Sequence, residues 1–558
     1  MSRTGEASAG GLAPARQTFA LSSRWAFRLA LCLLAATGVY ILLSYGQHGI
    51  SNDEEVQHVY GRLLVDFYAS GFADRSAFAY KNLYLYGGLF DLIAAALERV
   101  VPMNVWDLRH LLSAAFGLAG MAGTWLLARR LAGRGHLGDA GLAEWAGLAA
   151  LVLLLVTGAW SGAMFTHTKD VPFATAMVWA LYFTVRVVPA LPRPPLAEVM
   201  GLGVSFGCAF GLRVGAVFAV FYLGVAMLVA AWQAADNGRA RAAFLLRAIA
   251  ALWPAIAVAV ALMAVFWPWS VLAPGNLYTA MTTFSHFAFQ LDTILDGVVM
   301  KNGEVPASYL SRYLLVRLPE LFLLALALAG LAGLRALPQL GSSAAARRSA
   351  LPWLPAVLAA SFPLAYTVLA APPLYNGIRH FTFLLPPLAA LGGVGLAAAW
   401  LRAARWPRGR VLAAAGCMLL AVGHLVTLAR LHPYEYLAYN GFTGGLRGTV
   451  ERWEQDYWGL SLRELTGQLE AFVSHEGTPP RRYLVAVCAE SLQAAAWLDE
   501  RFTVTRDWRA ADFFLSPTHM DCHTAVRGSV IGEVVRDGVT LGLMRDRRML
   551  VGEERTPR

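Results

Sequence analysis

The sequence predicts a polytopic α-helical membrane protein. About eleven helices cross the bilayer, with the N-terminus in and the C-terminus out, and a small extracytoplasmic α/β domain closes the chain. Three observations predict it. Hydrophobic residues make up 57% of the 558 positions and charged residues only 15%, against roughly 25% in a soluble domain. Apolar stretches of about 20 residues recur, and Arg and Lys gather at alternate breaks between them. After His432 the composition turns to that of a soluble domain. The formal net charge of +10 is then the basic excess of cytoplasmic loops and gives no reason to invoke nucleic acid.

Residues 1–23 form the expected cytoplasmic tail, with Arg3, Arg16, Arg24 and Arg28 setting that side. The first span is 24–45. It is too long for a signal-peptide core and has no clear cleavage site, so it is expected to stay attached. The run SNDEE, with Asp53, Glu54 and Glu55, emerges on the far side. Segment 83–101 carries Asp91 and Glu98. If it crossed, Arg129, Arg130 and Arg134 at the end of span 106–131 would face outward, so 83–101 is expected to lie on the outer face. Spans then follow at 144–164, 171–188, 196–212, 214–234, 246–270, 313–334, 351–371, 381–401 and 411–430. The basic loops PALPRPP, NGRARAAFLLR and RAARWPRGR, and the loop with Arg335, Arg347 and Arg348, fall inside. The membrane domain is thus 24–431, with outer loops 46–105 and 271–312.

The α/β domain occupies 432–558. Leu460, Leu462, Leu465, Leu469 and Phe472 predict an amphipathic helix. YLVAVC and DFFLS predict buried strands, and VIGEVVRDGVTLGLM holds Asp537-Gly538 between two strand-like runs, a hairpin signal. Cys32, Cys208 and Cys417 fall in apolar runs. Cys488 and Cys522 are positioned to form a disulfide if their segment is extracytoplasmic, which spacing alone does not decide. No Cys/His spacing fits a structural zinc site.

This topology, drawn from basic residues alone, brings several groups to the outer face. They are SNDEE, Lys81, the run His167, Thr168, Lys169 and Asp170, Arg213, and the run from Tyr375 through Arg379 to His380. Ionisable groups at a membrane boundary are functional candidates. Each also has a structural reading. Ser51 and Glu54 fit a capping box at the head of a helix striped by Val56, Val59, Leu63 and Phe67. Asp170 precedes Val171-Pro172 and suits a helix N-cap. His167 fits an interfacial residue, and Lys81, Arg213 and Arg379 fit snorkelling span-end cations.

In order and topology these motifs resemble the GT-C class of polyprenol-phosphate-dependent glycosyltransferases, which includes the protein O-mannosyltransferases and the lipid A aminoarabinose transferases. The resemblance runs over about 24–430. It rests on Asp53-Glu54 opening a helix with Tyr60 and Arg62, Lys81 in AYKNLYLYGGL, WDLRHLLSAAFGLAGMAGTWLLARRLAG, Asp170 in THTKDVPFA, and GIRHFTFLLPPLAAL. The Lys motif departs from the aminoarabinose enzymes, which follow it with Pro-Pro where this chain has Asn82-Leu83. The segment from His432 (HPYEYLAYNGFTGG) to DYWG also looks like one found in bacterial members with an extra C-terminal domain.

The resemblance implies inverting transfer of a sugar from a polyprenyl-phosphate donor to a glycan, lipid or protein acceptor at the outer face of the cytoplasmic membrane. Asp53 is then the first choice for general base, with Glu54 beside it and Asp170 as second carboxylate. Lys81, Lys169, Arg213 and Arg379 are the candidates to hold the donor phosphate, with His380, Tyr375 and His167 as further ligands. A divalent metal between Asp53 and Asp170 stays open. The alternative is a multi-span transporter with an interfacial charged site, although no internal repeat divides the chain.

Overall fold

The computed structural model describes residues 13–133, 140–285, 290–403, 405–476 and 481–550. Most of the expected cytoplasmic tail, with Arg3, and the basic Arg134 lie outside the described residues. Nine described helices are long and apolar enough to cross a membrane, and a tenth crossing is a bent pair. They follow the expected spans in order, with four differences of detail.

The expected span 144–164 is two pieces, Gly141–Leu155 and Gly158–Thr166, bent by 73°. At the bend, Thr157 Oγ1 donates to the Leu153 carbonyl at 2.6 Å. Gly158 and Gly162 follow. A Cβ on Gly158 would lie 2.1 Å from the Glu435 carbonyl oxygen, and one on Gly162 would lie 2.4 Å from the Tyr436 nitrogen. The two glycines therefore admit the backbone of a distant segment against the broken helix.

The expected span 196–212 is a 15-residue helix, Leu196–Phe210, short of the roughly 20 residues a full crossing needs. The expected span 313–334 begins later, at Glu320. Pro319 holds Leu318 extended and separates the helix Tyr309–Arg317 from Glu320–Ser342. The expected span 246–270 ends at Phe266, and Pro268 opens a separate turn, Pro268–Leu272. Segment 83–101, expected on the outer face, contains a 3-10 turn, Leu83–Leu85, and the nine-residue α-helix Leu89–Leu97.

The two most enclosed spans are Arg379–Ala403, with 89% of its apolar window buried, and Asp170–Ala190, with 78%. The N-terminal ends of the two central helices thus carry Arg379 and Asp170. Span Val105–Ala132 packs beside them, capped by the Asn104 side chain on the Trp106 nitrogen at 2.9 Å.

A further helix, Asn276–Ser285, follows Pro268–Leu272, and after it comes a short antiparallel hairpin of β1 (Asp292–Leu295) and β2 (Val298–Lys301). Near the C-terminus lie β3 (Tyr483–Val487), β4 (Phe502–Thr505), β5 (Phe513–Pro517), β6 (Ser529–Arg536) and β7 (Val539–Asp546). They form one sheet in the order β4-β3-β5-β7-β6. β3 runs parallel to β4 and β5, and β7 runs antiparallel to β5 and β6. The expected hairpin is β6–β7, turning at Asp537 and Gly538, both at positive φ (47° and 73°) as a tight hairpin turn requires. The expected amphipathic helix is Leu462–His475, which buries Leu462, Leu465 and Leu469. β4 was not legible, because FTVT is short and flanked by charge. Cys488 and Cys522 are joined by a disulfide, with Cα atoms 6.3 Å apart.

Between bundle and sheet, residues 432–461 contain no strand. Tyr434, Tyr436, Leu437, Ala438 and Tyr439 in this connection are almost wholly buried. It is the segment that presses on Gly158 and Gly162.

Candidate active site

Asp53 stands at the head of the helix Glu54–Ala69, yet its side chain makes no capping hydrogen bond. Ser51 and Glu54 do the capping: the Glu54 nitrogen donates to the Ser51 carbonyl at 3.1 Å, and Glu54 Oε2 accepts from the Ser51 nitrogen at 2.8 Å. The Asp53 carboxylate is left to reach outward, and Arg379 Nη2 meets its Oδ2 at 2.5 Å. At 41% side-chain exposure it is the open carboxylate of the group.

Glu54, one residue on and so about 100° around the helix, is fully buried. It faces Arg109 Nε at 3.9 Å and His110 Nε2 at 3.3 Å. Arg109 also holds Asp91 at 3.0 Å. Gln57 joins this network and accepts from Thr168 Oγ1 at 2.6 Å. Glu54, expected beside Asp53 as a reacting acid, therefore sits in a closed network that ties the helix to its neighbours. Burial raises the carboxyl of Asp91 above its ordinary range, while Arg109 opposes the shift.

Asp170 opens its helix and is 4% exposed. Arg213 Nη2 lies 2.5 Å from its Oδ1, and Arg379 Nε lies 3.3 Å from its Oδ2. One guanidinium, Arg379, thus bridges Asp53 and Asp170. The Trp458 ring covers it with the centroid 4.1 Å away, and Tyr375 flanks it at 5.6 Å. His380 sits edge-on to Tyr375, centroids 4.6 Å apart. Arg213 is in extended backbone between Leu196–Phe210 and the next span.

Lys169 is 7% exposed and makes no ion pair with a described carboxylate. Its ammonium lies 4.2 Å from the Tyr86 ring centroid, and the same ring is 6.0 Å from Arg213. Burial pulls the Lys169 ammonium down to about 8, against the pull of Asp91. Tyr86 is fixed by the loop that follows it. A Cβ on Gly87 would lie 2.1 Å from the Gly211 carbonyl, and the Leu89 nitrogen donates to that carbonyl at 2.9 Å. The loop carrying Tyr86 and the loop carrying Arg213 are therefore locked together.

His167 Nε2 meets the Tyr457 hydroxyl at 2.9 Å and accepts from Trp458 Nε1 at 3.0 Å. Burial lowers this imidazole to about 3, so it is neutral and acts as an acceptor. It fastens the connection 432–461 to the bundle. Lys81 stands apart. It is exposed, in left-handed backbone (φ 47°), and its ammonium lies 5.8 Å from the Tyr80 ring with no ion pair among the described residues.

The structure thus brings Asp53, Asp170, Lys169, Arg213, Arg379, Tyr375 and His380 together, with His167 alongside, and leaves Lys81 out. It adds Tyr86, Tyr457 and Trp458, which the sequence reading did not single out, although YLYGG and DYWG both lay within the motifs it quoted. Three cations, Lys169, Arg213 and Arg379, face two carboxylates, Asp53 and Asp170, which leaves one positive charge for an anion. The place left open for a divalent ion between Asp53 and Asp170 holds the Arg379 guanidinium. Among the described residues no group of three His, Cys, Asp or Glu could hold a metal ion.

No protein-family model and no curated protein matches the chain. Solved structures resemble it at low identity. ArnT from Cupriavidus metallidurans bound to undecaprenyl phosphate is 15% identical with a TM-score of 0.45, over 92% of this chain and 97% of that one. The archaeal oligosaccharyltransferase AglB from Archaeoglobus fulgidus is 11% identical with a TM-score of 0.44, over 88% and 69%. The arabinofuranosyltransferase AftD from Mycobacteria is 14% identical with a TM-score of 0.41, over 93% and 40%. Likeness at this level assigns neither family nor activity to the chain.

Proposed function

We propose that the chain is a GT-C class membrane glycosyltransferase. It moves a sugar from a polyprenyl-phosphate donor to an acceptor hydroxyl at the outer face of the cytoplasmic membrane. The observation that carries the reading is Asp53 linked through Arg379 to Asp170 at the ends of the two central helices, with Lys169 and Arg213 supplying the cations beside them. A transporter would hold such charges near mid-bilayer between repeated halves. Here they stand at helix ends, and the disulfide of the C-terminal domain suits an oxidising compartment.

In this reading the acceptor oxygen attacks the anomeric carbon as the bond from that carbon to the phosphate oxygen breaks. The displacement inverts the centre. Asp53 takes the acceptor proton, since it is the exposed carboxylate and has a fixed orientation. Lys169 and Arg213 meet the charge that grows on the leaving phosphate. Asp170, buried between two arginines, aims the cations. Tyr86 and Tyr375 wall the sugar site, and the acceptor is a glycan, lipid or protein.

The test is titration of undecaprenyl phosphate into the full-length protein in nanodiscs, followed by native mass spectrometry. Saturable binding is expected. Lys169→Met or Arg213→Met should each weaken it about tenfold or more, because a hydrogen bond to a charged group is worth ~1.5–3 kcal/mol. Unsaturable binding, or wild-type affinity in both variants, would remove the reading.

A further inference from the structure

Gln493 lies in the short helix Leu492–Ala495 that follows β3, and it is 1% exposed. Both hydrogens of its side-chain amide are placed. Nε2 donates to the Ile50 carbonyl at 2.6 Å and to the Trp458 carbonyl at 2.8 Å, while Oε1 accepts from the Glu490 nitrogen at 3.1 Å. Ile50 and Trp458 are almost wholly buried and lie outside helices and strands, so no ladder satisfies their carbonyls. Gly459, at φ 66°, leaves room for the amide, since a Cβ there would come 3.3 Å from Gln493 Nε2.

The two carbonyls belong to the two sides of the Asp53–Arg379 ion pair. Ile50 stands three residues before Asp53, in the stretch between the first span and the helix Glu54–Ala69. The Trp458 ring covers the Arg379 guanidinium, whose Nη2 meets Asp53. The contacts thus close a ring. Gln493 joins the two backbones at one end, and Arg379 joins Asp53 to Trp458 at the other. Between them the two strips run side by side. Asn52 Nδ2 donates to the Tyr457 carbonyl at 3.3 Å, and Arg463 Nη1 donates to the His48 carbonyl at 2.6 Å. A Cβ on Gly49 would lie 2.5 Å from the Leu460 carbonyl oxygen. Asp53 makes no capping bond of its own, so its placement depends on the backbone that leads into it.

We infer that Gln493 is a positioning residue, through which the C-terminal domain clamps the strip leading to Asp53 against the strip that covers Arg379. The inference rests on the proposed transferase reading for what the placement does, and on the hydrogen bonds alone for the clamp. Gln493 touches no reacting group. It acts by fixing where the Asp53 carboxylate stands, and small displacements of a base cost rate far more than they cost fold. The cations Lys169 and Arg213 belong to other segments, so donor binding does not depend on it.

The test is amide hydrogen exchange on the full-length protein in nanodiscs, paired with sugar transfer in membranes of a deletion strain complemented with each variant. Gln493→Met keeps the length of the side chain and removes both donors. Exchange in 46–56 and 455–461 should quicken about tenfold, the scale of two lost hydrogen bonds, while β3 and β7 exchange as in wild type. Transfer should slow about tenfold, with undecaprenyl phosphate affinity within about twofold of wild type. Leu541→Val is the control, since Leu541 is fully buried in the sheet. It should quicken exchange in β7 and leave both 46–56 and transfer unchanged. If Gln493→Met does not fold, Gln493→Asn decides. Its amide is one methylene too short to reach both carbonyls, so it should fold and still loosen 46–56. Unchanged exchange at 46–56, or faster exchange spread equally over the sheet, would overturn the clamp. Wild-type transfer in Gln493→Met, an equal loss in Leu541→Val, or a tenfold loss of lipid affinity would overturn the positioning role. If the wild type moves no lipid-linked sugar while Gln493→Met still loosens 46–56, the transferase reading fails and the clamp stands.

Discussion

Asp53→Asn removes one charge and almost nothing else. The carboxylate makes no helix-capping hydrogen bond, and Asn caps about as well as Asp in any case. Its bond to Arg379 spans 2.5 Å but is 41% exposed on the Asp53 side, so its worth to folding is ~0–1 kcal/mol after solvent screening. Arg379 keeps Asp170 as a partner. The variant should therefore insert and unfold within a few degrees of wild type. Catalysis should respond differently. Loss of a general base costs on the order of 100-fold to 10,000-fold, or ~3–5.5 kcal/mol of barrier. Affinity for undecaprenyl phosphate should hold or rise slightly, because a nearby negative charge has gone. The assay is sugar transfer in membranes from a deletion strain complemented with each variant, with thermal unfolding measured on the same preparations. A folded Asp53→Asn with wild-type turnover would refute Asp53 as the base. A variant that fails to fold would refute the claim that its carboxylate is free of structural duty.

Three further outcomes are expected. The ammonium of Lys169 is pulled down to about 8, so it is charged below that pH and neutral above it. Lipid-phosphate affinity should fall as pH rises through 8, and Lys169→Arg should flatten the profile. Since that group binds fewer protons folded than unfolded between about 8 and its ordinary 10.5, its contribution to stability should improve as pH rises through the same window. Trp458→Ala uncovers one face of Arg379, a contact worth ~0.5–2 kcal/mol, and should slow transfer about 2-fold to 30-fold, with Trp458→Phe recovering part of the loss. In the absence of reductant, alkylation of the unfolded protein should find the three free thiols Cys32, Cys208 and Cys417 and reach all five cysteines only after reduction.

The span order was legible because hydropathy and the distribution of Arg and Lys are bulk properties of sequence. They also keep 83–101 out of the count of spans, and its described α-helix, Leu89–Leu97, has nine residues, short of the roughly 20 a crossing needs. They could not report the bend at Thr157, which depends on the connection at Glu435 and Tyr436 pressing on Gly158 and Gly162. The meeting of Asp53, Asp170, Arg213 and Arg379 was legible as a shared membrane face. Which carboxylate points into the site was not. Asp53 and Glu54 are adjacent in sequence, and helical rotation with the Ser51 cap sends one outward and the other into the Arg109 network. Lys81 looked equivalent to Lys169 in charge, and only the chain path separates them. Tyr86 and Trp458 come from segments far apart in sequence, and aromatic residues in an apolar chain give no signal until a cation is found over the ring.

The most direct test of a lipid-phosphate sugar donor is mass spectrometry of lipid extracts from the native host with the gene deleted, and then complemented with wild type or Asp53→Asn. A polyprenyl-phosphate sugar should accumulate in the deletion strain, wild type should clear it, and Asp53→Asn should leave it in place while restoring the protein to the membrane. Lipid-linked sugars unchanged across all these strains, with envelope glycans also unchanged, would contradict it.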